Sequence, residues 1–169
     1  EFGSDIVKIE NNGYILLGST TSYGNGDLDI LMIKIDDEGE EQWVRNYGIG
    51  SDDIGQAIVQ TRDGGYMVQF LVEGYGHGNS ATGLMKLNSA GDILWTNAFG
   101  GTINTMSKMF SKINSNEYIS VCGQIDYSSN TSNTWMIKID DEGEIIWEKI
   151  FGKRGKDDGF SAIPTFDGG

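Results

Sequence analysis

The chain repeats itself with a period of 52 residues, and this repetition restricts the folds open to it. Tyr14, Tyr66 and Tyr118 follow one another at steps of 52 residues. Three periods account for 156 of the 169 residues, so the last 13 residues repeat the beginning of a unit. A period of this order is the mark of an architecture built from repeated supersecondary units. The same spacing relates further sets of residues: Lys34, Lys86 and Lys138; Gly39, Gly91 and Gly143; Trp43, Trp95 and Trp147; Gly48, Gly100 and Gly152.

Each unit contains four short apolar runs separated by turn residues. In the second copy these runs are 56–61, 66–72, 82–87 and 93–99, and their length and β-branched or aromatic content predict strands. Asp63-Gly64-Gly65 predicts a tight hairpin, because glycine accepts the positive φ of such a turn. We therefore expect each unit to be a four-stranded antiparallel meander.

Two of the four strands predict that the unit must be covered on both faces. The third run, 30–35 in the first copy, is apolar at almost every position, a pattern typical of a strand buried on both sides. In the fourth run, two aromatic residues four positions apart point to one face of the sheet. These predicted packing residues are Trp43 with Tyr47, Trp95 with Phe99, and Trp147 with Phe151.

A four-stranded unit with two apolar faces is satisfied by stacking radially against copies of itself, as the blades of a β-propeller do. The predicted fold class is therefore all-β, with about three blades and one extra strand in the chain. The predicted blades span 5–51, 52–103 and 104–155, and residues 156–169 correspond to the first strand of a fourth repeat. Residues 1–4 look like a cloning scar.

The repeated motif resembles that of a known family. It reads Asp-Gly-Gly-Tyr, then a strand, then Lys-Ile-Asp-x-x-Gly, Trp and an aromatic residue followed by glycine, as in Lys138 to Gly143 followed by Trp147. This motif is similar to that of bacterial and archaeal tandem repeats of the β-propeller type in exported proteins. The resemblance implies a propeller and an extracellular or cell-surface location, and it implies no particular activity.

Three units and one strand fall short of a closed ring, since propellers have about four to eight blades. We expect the ring to be closed in one of two ways: by self-association, with a homodimer as the simplest case, or by pairing with the remainder of a longer parent chain. The segment 160–169 matches the segment 4–13. The two therefore compete for equivalent positions, and one of them can exchange between protomers.

The net charge and the lack of long apolar stretches argue against nucleic acid and membrane as partners, and the cysteine count argues against an internal disulfide. The net charge of −13 repels phosphate backbones and anionic lipids, so nucleic acid is not an expected partner. No stretch approaches the roughly 20 apolar residues of a spanning helix, so membrane insertion is not expected either. The single cysteine, Cys122, has no partner for an internal disulfide and is expected to be a small buried hydrophobic residue.

The longest loop of each unit follows its second strand, at 19–29, 73–81 and 124–133. Tyr23, Tyr75 and Tyr127 recur there at equivalent positions, and Asn25 and His77 follow two residues after the first two tyrosines. Tyrosines repeated along one rim can stack on a carbohydrate or protein ligand. In the alternative reading each tyrosine packs under its own loop, and this reading is favoured because repeats preserve structural positions in common.

Metal binding and catalysis receive little support from the sequence. Asp27 and Asp29 supply oxygen ligands at alternate positions, a spacing that calcium can use, and a metal-free Asx-turn is the competing explanation. His77 is the only histidine, and no Gly-x-Ser-x-Gly motif accompanies it, so no catalytic residue is predicted.

We therefore expect a non-catalytic binding or adhesion scaffold without a cofactor other than a candidate calcium ion. A purely structural assembly module is the first alternative. An enzyme acting on polysaccharide is the second.

Overall fold

The structure is a computed structural model that describes residues 1–10, 13–23, 28–48, 52–74, 80–100, 104–152, 155–157, 159 and 161–162. Within these ranges every regular element is a β-strand. The twelve strands are β1 (Phe2–Lys8), β2 (Tyr14–Thr20), β3 (Asp29–Ile35), β4 (Glu41–Tyr47), β5 (Asp53–Gln60), β6 (Tyr66–Glu73), β7 (Ser80–Leu87), β8 (Ile93–Gly100), β9 (Asn104–Lys112), β10 (Glu117–Asp126), β11 (Thr131–Asp140) and β12 (Ile145–Phe151).

The strands form three four-stranded antiparallel sheets, and in each sheet the strands follow chain order. This arrangement confirms the predicted all-β class and the four-stranded antiparallel meander. The first sheet contains β1 to β4, the second β5 to β8 and the third β9 to β12. Strand β1 begins at Phe2, which pairs with Ser19, and Gly3 pairs with Gly18. Residues that look like a cloning scar thus take part in the ladder of the first sheet.

Each sheet carries the same two irregularities. In the pairing of the first two strands, the register shifts after Gly3, Gly55 and Ser107, where one residue is passed over. In the pairing of the last two strands, it shifts before Trp43, Trp95 and Trp147. Bulges of this kind increase the local twist of a sheet, so the three sheets are twisted at the same places.

The hairpin between the third and fourth strands explains the Lys-Ile-Asp-x-x-Gly motif. The Asp36 side chain accepts hydrogen bonds from the backbone N–H groups of Glu38 (3.1 Å) and Glu40 (2.8 Å). Asn88 and Asp140 repeat this pattern in the other two sheets. The glycine of each hairpin has a φ between 85° and 88°, which a residue without a Cβ adopts at no steric cost.

Neighbouring sheets pack face to face through their first strands. Strand β5 lies against β1, β2 and β3, and β9 lies against β5, β6 and β7. One core forms between the first and second sheets and includes Ile15, Leu17, Val68 and Met85. A second core, between the second and third sheets, includes Met67, Leu84, Trp135 and Ile137.

The second sheet is therefore covered on both faces. Its third strand, β7, is buried at every position from Ala81 to Leu87, whereas β3 and β11 of the outer sheets are only partly buried. Cys122 is also fully buried, which confirms the expectation for the single thiol. No helix in the described part of the chain has the length and apolar character needed to cross a membrane.

Candidate functional site

We call the loops that follow the second strand of each sheet the loop rim; of these loops the structure describes residues 21–23, 28, 74 and 127–130. At its first junction Leu28 donates its backbone N–H to Asp52 Oδ1 (3.0 Å), and Glu73 donates its N–H to the Asp52 carbonyl (3.0 Å). At its second junction Ser80 N–H donates to Asn104 Oδ1 (3.2 Å). Asn104 pairs with Ile125 near the end of β10. These hydrogen bonds connect the three loops in order.

Two rim tyrosines lie in the described part of the chain, and both are exposed to solvent. Tyr23 is 52% exposed and Tyr127 is 71% exposed. Tyr127 thus stands mostly in solvent, whereas about half of Tyr23 is covered, and residues 24–27 of its loop lie outside the described residues. The candidate residues Asn25, Tyr75 and His77 lie outside the described residues.

The third rim loop is shorter than the sequence predicts. Strand β10 continues to Asp126 and β11 begins at Thr131, which leaves a four-residue turn in place of a loop over 124–133. Asp126 organises this turn, since its carboxylate accepts hydrogen bonds from the hydroxyls of Ser128 (2.6 Å) and Ser129 (2.8 Å). These bonds, those of Ser128 first, lower the pKa of Asp126 to about 2.

A shallow pocket of about 210 Å³ opens beside this turn. The Asp126 carboxylate stays charged at ordinary pH, and Lys156 supplies a charge of opposite sign. An exposed aromatic ring beside hydroxyl, amide and charged groups is the composition of a site for small polar ligands. The polar and aromatic residues that line it are Asp126, Tyr127, Asn130, Thr131, Ser132 and Lys156.

Asp29, one of the two candidate calcium ligands, is buried at the start of β3. Its Oδ1 stands 2.3 Å from the point where a Cβ on Gly48 would lie. Asn133 occupies the equivalent place in the third sheet, against Gly152. The aromatic-glycine motif thus makes room for a polar side chain. Asp27 lies outside the described residues, and within the described ranges no three His, Cys, Asp or Glu side chains cluster to hold a metal ion.

The core between the second and third sheets contains a polar cluster around Cys122. The thiol contacts the hydroxyls of Ser120 (3.2 Å) and Thr82 (3.4 Å) and the amide of Gln69 (3.8 Å). Burial raises the pKa of the thiol, although the hydroxyl contacts oppose this effect. A buried thiol with a raised pKa is protonated and unreactive, so this cluster is a packing feature.

Both interfaces between sheets contain a contact between a tryptophan of one sheet and a hairpin glycine of the next, at equivalent repeat positions. A Cβ placed on Gly91 would lie 3.5 Å from the Trp43 ring, and one placed on Gly143 would lie 2.6 Å from the Trp95 ring. The last hairpin of each following sheet thus rests on the tryptophan of the sheet before it. The Gly91 carbonyl also accepts a hydrogen bond from the Tyr47 hydroxyl (2.7 Å).

The second interface adds an ion pair. The Lys86 ammonium contacts Asp63 Oδ2 of its own sheet (3.2 Å) and also pairs with Asp141 of the next sheet. Tyr118 donates its hydroxyl to the same Asp141 (2.7 Å). Burial lowers the pKa of Lys86, but its hydrogen bonds to Asp141 and Asp63 outweigh that effect, so the pKa lies above its usual value.

The two outermost faces expose the positions that these interfaces bury. Toward the preceding sheet, Ile58 and Phe110 are 3% and 6% exposed, whereas the equivalent Ile6 is 58% exposed. Toward the following sheet, Tyr47 and Phe99 are 7% and 8% exposed, whereas the equivalent Phe151 is 49% exposed. The structure therefore brings four of the six predicted packing residues into interfaces, namely Trp43, Tyr47, Trp95 and Phe99. It leaves Trp147 and Phe151 on an end face.

Several of these residues could not be singled out from the sequence. Lys156 and Ser132 are brought together by a bridge between distant segments. Asp141 belongs to a motif that looks like a simple turn. The only signal for its role was that Asp37 and Asp141 share a repeat position that is serine, Ser89, in the second unit.

No protein-family model matches the chain, and no curated protein is similar enough in sequence to count as a relative.

Proposed function

We propose that the chain is a non-catalytic β-propeller repeat scaffold for binding or adhesion, exported to the cell surface or the extracellular space. In this proposal each four-stranded sheet is one blade, and the loop rim carries the ligand site. The ring is completed by self-association or by the rest of a longer chain.

The exposure of Tyr23 and Tyr127 is the observation that carries the binding proposal. Large aromatic side chains lose favourable burial when they stand in water, and both of these rings do so at the same repeat position. The pocket beside Tyr127 adds hydroxyl, amide and charged groups within reach of one ring. Carbohydrate fits this chemistry, because sugars present apolar ring faces for stacking and hydroxyls for hydrogen bonding.

The packing of the sheets supports the propeller. The first strand of each sheet packs against the sheet before it, so the three sheets follow one another in chain order. The same bulges and the same tryptophan-glycine contact recur at each step, as expected for blades related by a constant rotation.

A purely structural assembly module is the second candidate function. The observation that favours it is the exposure of Ile6 and Phe151 at the two end faces, where equivalent residues are buried inside the chain. In this case the partner of the chain is another copy of the unit, and the loop rim binds nothing.

A binding experiment separates the two candidates. The wild-type chain is tested by affinity electrophoresis against a panel of soluble neutral and acidic polysaccharides, beside a variant carrying Tyr23→Ala and Tyr127→Ala. Loss of both rings is expected to weaken binding at least about tenfold. Leu94→Ala removes an exposed apolar side chain from β8, away from the rim, and should bind as the wild type does. Equal binding by the double variant would exclude the rim as the ligand site.

A further inference from the structure

The two end faces of the chain carry matching halves of one interface. We name the exposed face of the first sheet the leading face; it contains Ile6, Asp37 and Gly39. The exposed face of the third sheet is the trailing face; it contains Lys138, Trp147 and Phe151. By the 52-residue period these residues are equivalent to those that meet between the second and third sheets.

The tryptophan and the glycine are the first matching pair. Inside the chain, Trp95 lies against Gly143 and Trp43 lies near Gly91. On the trailing face, Trp147 is half-buried, and among the described residues no hairpin of a following sheet packs on its ring. On the leading face, no heavy atom beyond the adjacent residues of the chain lies within 4 Å of the point where a Cβ on Gly39 would stand, although Gly39 shares the φ of the other two hairpin glycines. The Trp147 ring and the open space at Gly39 are therefore equivalent in the repeat to Trp95 and Gly143, which are in contact inside the chain.

The lysine and the aspartate are the second matching pair. Lys86 contacts an acidic residue of its own sheet and Asp141 of the next. Lys138 on the trailing face already contacts an acidic residue of its own sheet, Glu117 (3.0 Å). The position of Asp141 is occupied on the leading face by Asp37, an exposed residue whose Oδ1 accepts a hydrogen bond from the Gly13 N–H (2.9 Å).

The lysine–aspartate pair is present between the second and third sheets but not between the first and second sheets. There the residue equivalent to Asp141 is Ser89, so Lys34 has no acid to meet at that position. The end faces thus reproduce the charged interface between the second and third sheets. The leading face also contains an apolar groove of about 170 Å³, lined by Phe2, Leu16, Leu31 and Ile33.

We propose that the trailing face of one copy docks on the leading face of a second copy, with Trp147 over Gly39 and Lys138 paired with Asp37. The contact is head to tail, so two copies can close on each other through two identical interfaces, which makes six sheets in one assembly. This inference rests on the proposed repeat scaffold and names the partner that completes it.

The proposed contacts do not depend on which of two segments, 1–13 or 157–169, supplies the first strand of the docked sheet. Asp157 donates its N–H to the Ser132 carbonyl (2.9 Å), as Asp53 does to Leu28 (2.6 Å). Asp157, after the third sheet, thus makes the same backbone hydrogen bond as Asp53, the first residue of β5. Since 157–169 is equivalent to 1–13 by the repeat, either segment can take the place beside β2 of the second copy. The two proposed pairs lie in the third and fourth strands and their hairpin, so they form in both cases.

Charge reversal tests the pairing. The mass of the full chain is measured by light scattering over a range of concentrations for the wild type, for Asp37→Lys, for Lys138→Asp, and for an equal mixture of the two variants. The wild type is expected to have the mass of two chains. Each variant alone places like charges at both interfaces, which raises the dissociation constant about 100-fold or more. In the mixture, one interface is native and the other has its charges exchanged, so the two-chain mass should return.

Lys34→Asp is the matched control, since it reverses a charge at the same repeat position inside the chain and should leave the mass unchanged. Denaturation of each variant shows that the fold is intact. A wild type with the mass of one chain at every concentration would overturn the proposal. So would single variants that associate as the wild type does, or a mixture that stays dissociated. A monomeric chain that still binds polysaccharide through its rim would overturn the docking alone and leave the proposed function standing.

Discussion

The hydroxyl of Tyr47 donates a hydrogen bond of 2.7 Å to the carbonyl oxygen of Gly91. Tyr47 ends the last strand of the first sheet, and Gly91 turns the last hairpin of the second sheet. The bond therefore joins two sheets at residues 44 positions apart in the chain. In the next interface Phe99 takes the place of the tyrosine, and Asn97 Nδ2 approaches the Gly143 carbonyl at 3.4 Å.

Replacing Tyr47 with phenylalanine should cost about 0.5 to 1.5 kcal/mol of unfolding free energy, the usual net value of one buried hydrogen bond. The ring itself should fit, because Phe99 fills the equivalent position. Urea denaturation of the wild type and of Tyr47→Phe measures the difference. Unchanged stability would show that water replaces the bond.

Alkaline pH should destabilise the fold through its buried tyrosines. Burial raises the pKa of Tyr47 from 10.0 to about 12, and burial followed by the hydrogen bond to Asp141 raises the pKa of Tyr118. A raised folded pKa means that the fold favours the neutral phenol. The stability from Tyr47 is therefore complete below pH 10 and is lost as the pH rises toward 12. Urea denaturation at a series of pH values checks this, and Tyr47→Phe should show a shallower loss. Parallel curves for the two proteins would contradict the assignment.

Alanine at two equivalent hairpin glycines should have unequal effects. Gly39 and Gly143 both have positive φ, so Gly39→Ala and Gly143→Ala carry similar backbone strain. Only at Gly143 would the new Cβ meet a neighbour, the Trp95 ring at 2.6 Å. We expect Gly143→Ala to cost about 1 to 3 kcal/mol more than Gly39→Ala, the usual range for overpacking. Thermal unfolding at low protein concentration compares them, and equal losses would mean that the ring moves aside freely.

Removing the ring of Trp95 should cost about 3 to 5 kcal/mol, because a large side chain is lost from a packed interface. Trp147→Ala is the matched comparison at the equivalent position. It should cost less in the dissociated chain, since no following hairpin covers that ring among the described residues. Denaturant unfolding at low concentration measures both. A loss below about 1 kcal/mol for Trp95→Ala would show that the aromatic face is not an interface.

The four-stranded meander could be predicted because its signals are local. The turn at Asp63-Gly64-Gly65 and the run 66–72 specify a hairpin within a few residues, and the structure has β6 at Tyr66–Glu73. The exposure of Tyr127 could not be predicted. Whether a loop tyrosine packs inward depends on the length of its turn, and Asp126 shortens that turn by binding the hydroxyls of Ser128 and Ser129.

The sequence by itself determined the 52-residue period, the strand boundaries within a few residues and the all-β class. These follow from turn chemistry and from the alternation of apolar residues, which act over short distances along the chain. Only the tertiary structure decided which of three equivalent residues is buried. Ile6 and Ile58, or Phe99 and Phe151, occupy the same place in their own sheets, but burial requires a neighbouring sheet, and a residue at the end of the stack has one on a single side.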